Sequence, residues 1–182
     1  FAMASIMDKG DELIIPEPFY ANYNGFATAN GINVIPVHSN LSENFALPKI
    51  HEFEKLISSK TKAILICNPN NPTGSFVEKP AIDYLAKELE KHPHVTILSD
   101  EIYSRQVFDY KEMPTFFNYP NLRDRLIVLE GWSKAYSMTG WRLGWSFWPE
   151  HLVEHVNKLL INSVSCVNAA AQYAGIAALD GP

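Results

Sequence analysis

The sequence predicts an α/β fold built on a mainly parallel, covered sheet. Short, β-branched apolar runs recur along the chain, and several are separated by stretches whose apolar residues fall every three or four positions. The runs are nearly continuous rather than alternately apolar and polar, the mark of strands buried on both faces. Hydrophobic residues make up 47% and charged residues 19% of 182 positions, enough for a substantial single core and too apolar for a disordered chain.

The elements follow in order. Residues 1–7 read as the last turns of a helix, closed by Gly10. Residues 12–15 (ELII) and 32–37 (INVIPV) are the first two strands. Residues 48–58 carry Ile50, Phe53, Leu56 and Ile57 on one helical face, and the strand 62–67 (KAILIC) follows. Residues 78–91 repeat the helical pattern with Ile82, Leu85, Ala86 and Leu89. Strands are then expected at 95–100 (VTILSD), 126–130 (LIVLE) and 144–148 (GWSFW). The hop from 130 to 144 is only marginally long enough for a parallel crossover, so 144–148 is expected to run antiparallel. A helix over 149–163 presents Leu152, Val153, Val156, Leu159 and Leu160. The closing "NAAAQYAGIAALDGP" reads as a helix stopped by Gly181 and Pro182.

Charge and cysteine content narrow the function classes. The net charge is −5 with no block of Lys and Arg, which argues against nucleic acid or an anionic membrane as partner. No apolar stretch approaches membrane-spanning length and no signal peptide is visible. Cys67 and Cys166 supply no disulfide framework and fit a reducing, cytoplasmic setting. Cys67 ends an apolar strand and reads as a buried, inert thiol. No metal site is expected.

Three stretches carry chemistry: "NPNNPTG" at 68–74, "SDEIYS" at 99–104 and "GWSKAYSMTGWRLGW" at 131–145. Singly, each has an ordinary reading. The first is turn-forming by composition, Asp100 suits a helix N-cap, Tyr103 packs, Lys134 is a solvated cation and Arg142 a surface ion pair. Together they fall on one place. In an open α/β sheet, ligands bind beyond the carboxyl ends of the strands. Asn68 to Gly74 follows strand 62–67, Asp100 ends strand 95–100, and Lys134 follows strand 126–130.

In this order, N-P-x-N-P-T-G, S-D-E-I-Y and S-K-A-x-x-M-T-G-W-R-x-G resemble the pattern of the fold-type I, pyridoxal-phosphate-dependent aminotransferases of class I/II, and "GDELIIPEPFYANY" is similar to that family too. The resemblance runs along the whole chain. It implies a three-layer α/β/α large domain, with the cofactor pyridoxal 5′-phosphate held as a Schiff base on Lys134. The freed Lys134 amine would then move the proton between substrate Cα and cofactor. Asp100 would face the ring nitrogen, and Tyr103 and Asn71 would hydrogen-bond the ring oxygen. Arg142, helped by Ser133, would grip the phosphate, and Tyr20 would stack on the ring. The resemblance also implies cis bonds at Glu17–Pro18 and Asn71–Pro72, and substrates that are an amino acid and a 2-oxo acid.

The resemblance covers about the central half of a usual member. Residues 1–182 are therefore expected to be the central part of the large domain of a homodimeric enzyme, without its N-terminal segment and C-terminal small domain. The phosphate-cradling helix start would lie before Phe1 and the arginine for the substrate carboxylate after Pro182, so the piece alone is expected to be inactive. The sheet would lack one family strand and leave 144–148 at an edge. Many relatives carry Ser or Thr three residues before the lysine, where this chain has Gly131. Two other classes share the pattern: carbon–sulfur or aminocyclopropane-carboxylate-synthase-like lyases, and the aminotransferase-like effector domain of a transcription regulator.

Overall fold

The computed structural model describes residues 1–109 and 112–181. It is organised around one six-stranded sheet, with strands β1 (Glu12–Glu17), β2 (Asn33–His38), β3 (Thr61–Cys67), β4 (Thr96–Asp100), β5 (Leu126–Gly131) and β6 (Gly144–Phe147) in the order β2-β1-β3-β4-β5-β6. The first five are parallel. β6 pairs with β5 antiparallel, as the short connection requires, and lies at the sheet edge.

Among the described residues, seven α-helices accompany the sheet: α1 (Ala2–Ile6), α2 (Asn22–Ala29), α3 (Ile50–Glu54), α4 (Lys79–Glu90), α5 (Trp132–Ala135), α6 (Glu150–Val164) and α7 (Ala169–Asp180). Alternate strand residues feed two separate cores, because successive side chains of a strand point to opposite faces. Ile14, Ile64, Ile66, Ile97 and Val128 pack with Phe53 of α3 and Ile82, Leu85 and Leu89 of α4. Leu13, Ile15, Leu65, Leu98 and Ile127 pack with Met3 of α1, Tyr23 and Ala27 of α2, and the partly buried Leu152 of α6. The result is the expected three layers.

Local departures have local causes. α2 has no counterpart in the sequence reading, since Asn22, Asn24 and Gly25 resemble a turn; burial of Tyr23 and Ala27, one helical turn apart, holds it helical. α3 is shorter than 48–58: Lys49 is its extended N-cap after Pro48, and beyond Glu54 the chain closes in tight turns, with the Ile57 amide on Phe53 O. Glu17–Pro18 and Asn71–Pro72 are cis, and so is Asn68–Pro69. Gly181 follows α7 in an extended conformation, while the helix stop assigned to Pro182 lies outside the described residues. Among the described residues, no helix is long and apolar enough to cross a membrane.

Candidate active site

The carboxyl ends of β1, β3, β4 and β5 open onto one cavity of about 380 Å³. Tyr20, Asn71, Asp100, Tyr103, Ser133, Lys134 and Arg142 all line it. Every residue singled out from the sequence is thus brought to one place by strand adjacency: Cys67 pairs with Asp100, and Asp100 with Leu129, across β3, β4 and β5.

The loop after β3 is shaped by its own asparagines. Asn68 donates to Val77 O at 3.0 Å and accepts from Val77 N at 2.9 Å, closing the loop at its base. Asn70 donates to Thr73 Oγ1 at 2.8 Å and to Pro18 O at 3.0 Å, tying this loop to the exit of β1. Gly74, at φ +71°, makes the return turn. Asn71 is left at the cavity and donates from Nδ2 to the Tyr103 hydroxyl at 3.1 Å.

Asp100 forms the floor. Its Oδ2 accepts the Tyr23 hydroxyl at 2.6 Å and its Oδ1 accepts the Ile102 amide at 3.2 Å. Burial pushes the Asp100 carboxyl above the usual range, against those two donors. Burial, with the Asp100 charge, pushes the Tyr23 hydroxyl far up, so it stays a donor. Next door, Glu101 points away into the protein, where Oε1 accepts Ser99 at 2.9 Å and Thr115 at 2.6 Å; burial raises its carboxyl as well.

Lys134 sits on α5, a single turn of helix opened by Gly131 and pinned to α7 by Trp132 Nε1 donating to Gly175 O at 3.0 Å. Its Nζ lies 5.6 Å from the centre of the Tyr103 ring, and among the described residues it pairs with no carboxylate. A Cβ on Gly131 would meet Gly144 Cα and Leu143 O at 3.1 Å and Ile102 Cδ1 at 3.3 Å. The close approach of β5 to β6 therefore leaves little room for a side chain at this position. Arg142 follows in a left-handed conformation (φ +54°), with Nη1 donating to Thr139 O at 3.0 Å.

Tyr20 is 40% exposed at the cavity mouth; its hydroxyl accepts Asn22 Nδ2 at 2.8 Å, and its ring stands edge-on to Tyr23 at 5.5 Å. Tyr23 and Glu130 also line the cavity and were not read from the sequence. The one signal for Tyr23 is its spacing of three from Tyr20, which only a helix there would make meaningful. Cys67 is buried, as expected, and burial beside Asp100 pushes its thiol up to about 12.

The arrangement offers an amine, a buried carboxylate, a guanidinium and several oriented hydroxyl and amide groups around one aromatic-walled space. Residues 1–182 match the family model described as aminotransferase class I and II. The aspartate aminotransferase of Pinus pinaster is 34% identical over 98% of this chain and 36% of that protein. The aspartate aminotransferase of Thermotoga maritima is 36% identical over 98% of this chain and 47% of that protein. The crystal structure of the Rhizobium meliloti aspartate aminotransferase superposes with a TM-score of 0.95 at 31% identity, covering 100% of this chain and 45% of that one. The chain spans less than half the length of each of these proteins.

Proposed function

Because the chain belongs to the class I and II aminotransferase family, we propose that it forms the cofactor-holding part of a pyridoxal-phosphate-dependent aminotransferase. The reaction moves an amino group between an amino acid and a 2-oxo acid, and aspartate is the donor that the relatives' names suggest trying first. On this reading residues 1–182 are the central part of a large domain, and the working enzyme is a cytoplasmic homodimer. The observation that carries the proposal is the placement of Lys134, an amine without a carboxylate partner among the described residues, in one cavity with buried Asp100.

The donor set suits an anionic pyridine aldehyde. Asp100 would hold a proton at the ring nitrogen, Tyr103 and Asn71 would serve the ring oxygen, Tyr20 would cover a ring face, and Arg142 with Ser133 would take the phosphate. When bound, the cofactor supplies an electron-accepting ring that stabilises negative charge at the substrate Cα. The chain supplies the rest. Lys134 Nζ would be the nucleophile toward the aldehyde and afterwards the base that takes and returns the Cα proton. Asp100 must be ionised to do its part. Burial opposes that, and the Tyr23 hydroxyl and Ile102 amide favour it. Asn71 fixes the direction of the Tyr103 hydroxyl beside the lysine.

The test is Lys134→Ala made in the full-length protein, titrated with pyridoxal phosphate and assayed with aspartate and a 2-oxo acid. It should lose the protein-bound cofactor absorbance, and turnover should fall by ~10²–10⁴-fold or more. Wild-type turnover in this variant would refute the assignment. Pyruvate released from cysteine with no acceptor acid present would replace the transferase reading with a lyase.

A further inference from the structure

Glu130 is the last acidic residue of β5, directly before the glycine that opens the lysine helix. It lines the cavity, yet its carboxylate is spent on two protein donors. Oε1 accepts the Ser104 hydroxyl, and Oε2 accepts the Gly131 amide at 3.0 Å. Ser104 adjoins Tyr103 on the turn after β4, and that turn is closed by Ser104 N on Glu101 O at 2.7 Å. Gly131 is the N-cap of the helix that carries Lys134. One carboxylate therefore bridges the two backbone segments that present the phenol and the amine. A longer contact lies alongside it, Gln106 Nε2 to Lys134 O at 3.5 Å.

We propose that Glu130 is a positioning residue, which sets the approach of Tyr103 to Lys134 by clasping the exit of β4 to the start of the lysine helix. The inference rests on the reading of Lys134 and Tyr103 given above. A carboxylate suits the task because both of its oxygens accept, and hydrogen bonds to an ionised acceptor are about twice as strong as neutral ones. Glutamine at this place keeps one acceptor oxygen for the Gly131 amide and can meet Ser104 only as a donor, with the hydroxyl turned to accept, so neither link is charge-assisted. Alanine at 104 breaks the Tyr103-side link and leaves the negative charge in the cavity, which separates positioning from electrostatics.

Two measurements decide it. In the cofactor-free protein, Ser104→Ala and Glu130→Gln should speed amide hydrogen exchange over residues 131–136 by ~10-fold or more, the fold-change expected from losing one charge-assisted hydrogen bond. Exchange in β1 to β3 should not change. No acceleration at 131–136, or equal acceleration in β1 to β3, would overturn the proposal. With pyridoxal phosphate added, Ser104→Ala should raise the pH midpoint of the protein-bound cofactor absorbance, because a loosened Tyr103 hydroxyl no longer favours the deprotonated form. The same substitution made on Tyr103→Phe should produce no shift. Equal shifts in both backgrounds would mean that the clasp does not act through Tyr103. If the wild-type protein takes up no cofactor, the cofactor reading fails, and the exchange measurement still decides the clasp.

Discussion

Replacing Tyr23 with phenylalanine isolates one hydrogen bond at the floor of the cavity. Phe keeps the packing of a ring that is only 5% exposed and removes the hydroxyl that Asp100 Oδ2 accepts at 2.6 Å. Asp100 then keeps only the Ile102 amide at 3.2 Å. A hydrogen bond to an ionised group contributes about 1.5–3 kcal/mol, which for a chain of this size lowers the melting temperature by ~3–12 °C. The effect has a pH signature. The folded pKa of Asp100 already lies above its ordinary value, because burial favours the neutral acid and Tyr23 only partly offsets it. Ionised Asp100 therefore subtracts stability above the folded pKa, and removing Tyr23 enlarges that loss and raises the folded pKa further. The gap between wild-type and Tyr23→Phe should be full at neutral pH and close as pH falls toward the ordinary carboxylate value. Thermal melts followed by circular dichroism from neutral to mildly acid pH measure it. Coincident melts at pH 7, or a gap as large in acid as at neutrality, would refute the linkage between the two side chains.

Asp100→Asn imitates the protonated acid that burial favours, so without cofactor it should melt higher at pH 7, while abolishing turnover of the full-length protein; an unchanged or lower melt would contradict the pKa direction. Gly131→Ser places a Cβ 3.1 Å from both Gly144 Cα and Leu143 O and should cost about 1–3 kcal/mol, read as a lower melting temperature. A serine variant as stable as wild type would mean that β5 and β6 can separate freely. Exposed Cys166 should react with a thiol reagent in the native protein at mildly alkaline pH and buried Cys67 only after denaturation, since burial pushes the Cys67 thiol up to about 12. Native labelling of both would show that the cavity floor opens.

Much of this protein is legible in one dimension. A strand buried on both faces must be apolar along its length, so β1, β3, β4 and β5 appear as short apolar runs rich in β-branched residues, and α4 and α6 appear through the spacing of one apolar face. The chemistry is legible for a related reason: Asn71, Asp100, Tyr103 and Lys134 each stand just past or at the end of a strand, where a parallel sheet gathers its loops. The antiparallel β6 follows from a connection only marginally long enough to cross over. What tertiary structure alone decided is which residues meet across long stretches of chain. Tyr23 reaches Asp100 from 77 positions away because β1 lies beside β3 and β3 beside β4, and the helix that delivers it, α2, forms only when its Tyr23 and Ala27 are buried. Gly131 departs from the pattern that the resemblance implies, and only the structure shows Gly144 packed against it. Glu130 reads only as the end of a strand until Ser104 approaches it from the neighbouring strand's turn. Local pattern reports the period and burial of each element. Pairwise side-chain partners are set by sheet order and by close approach of backbones, which no single stretch of sequence encodes.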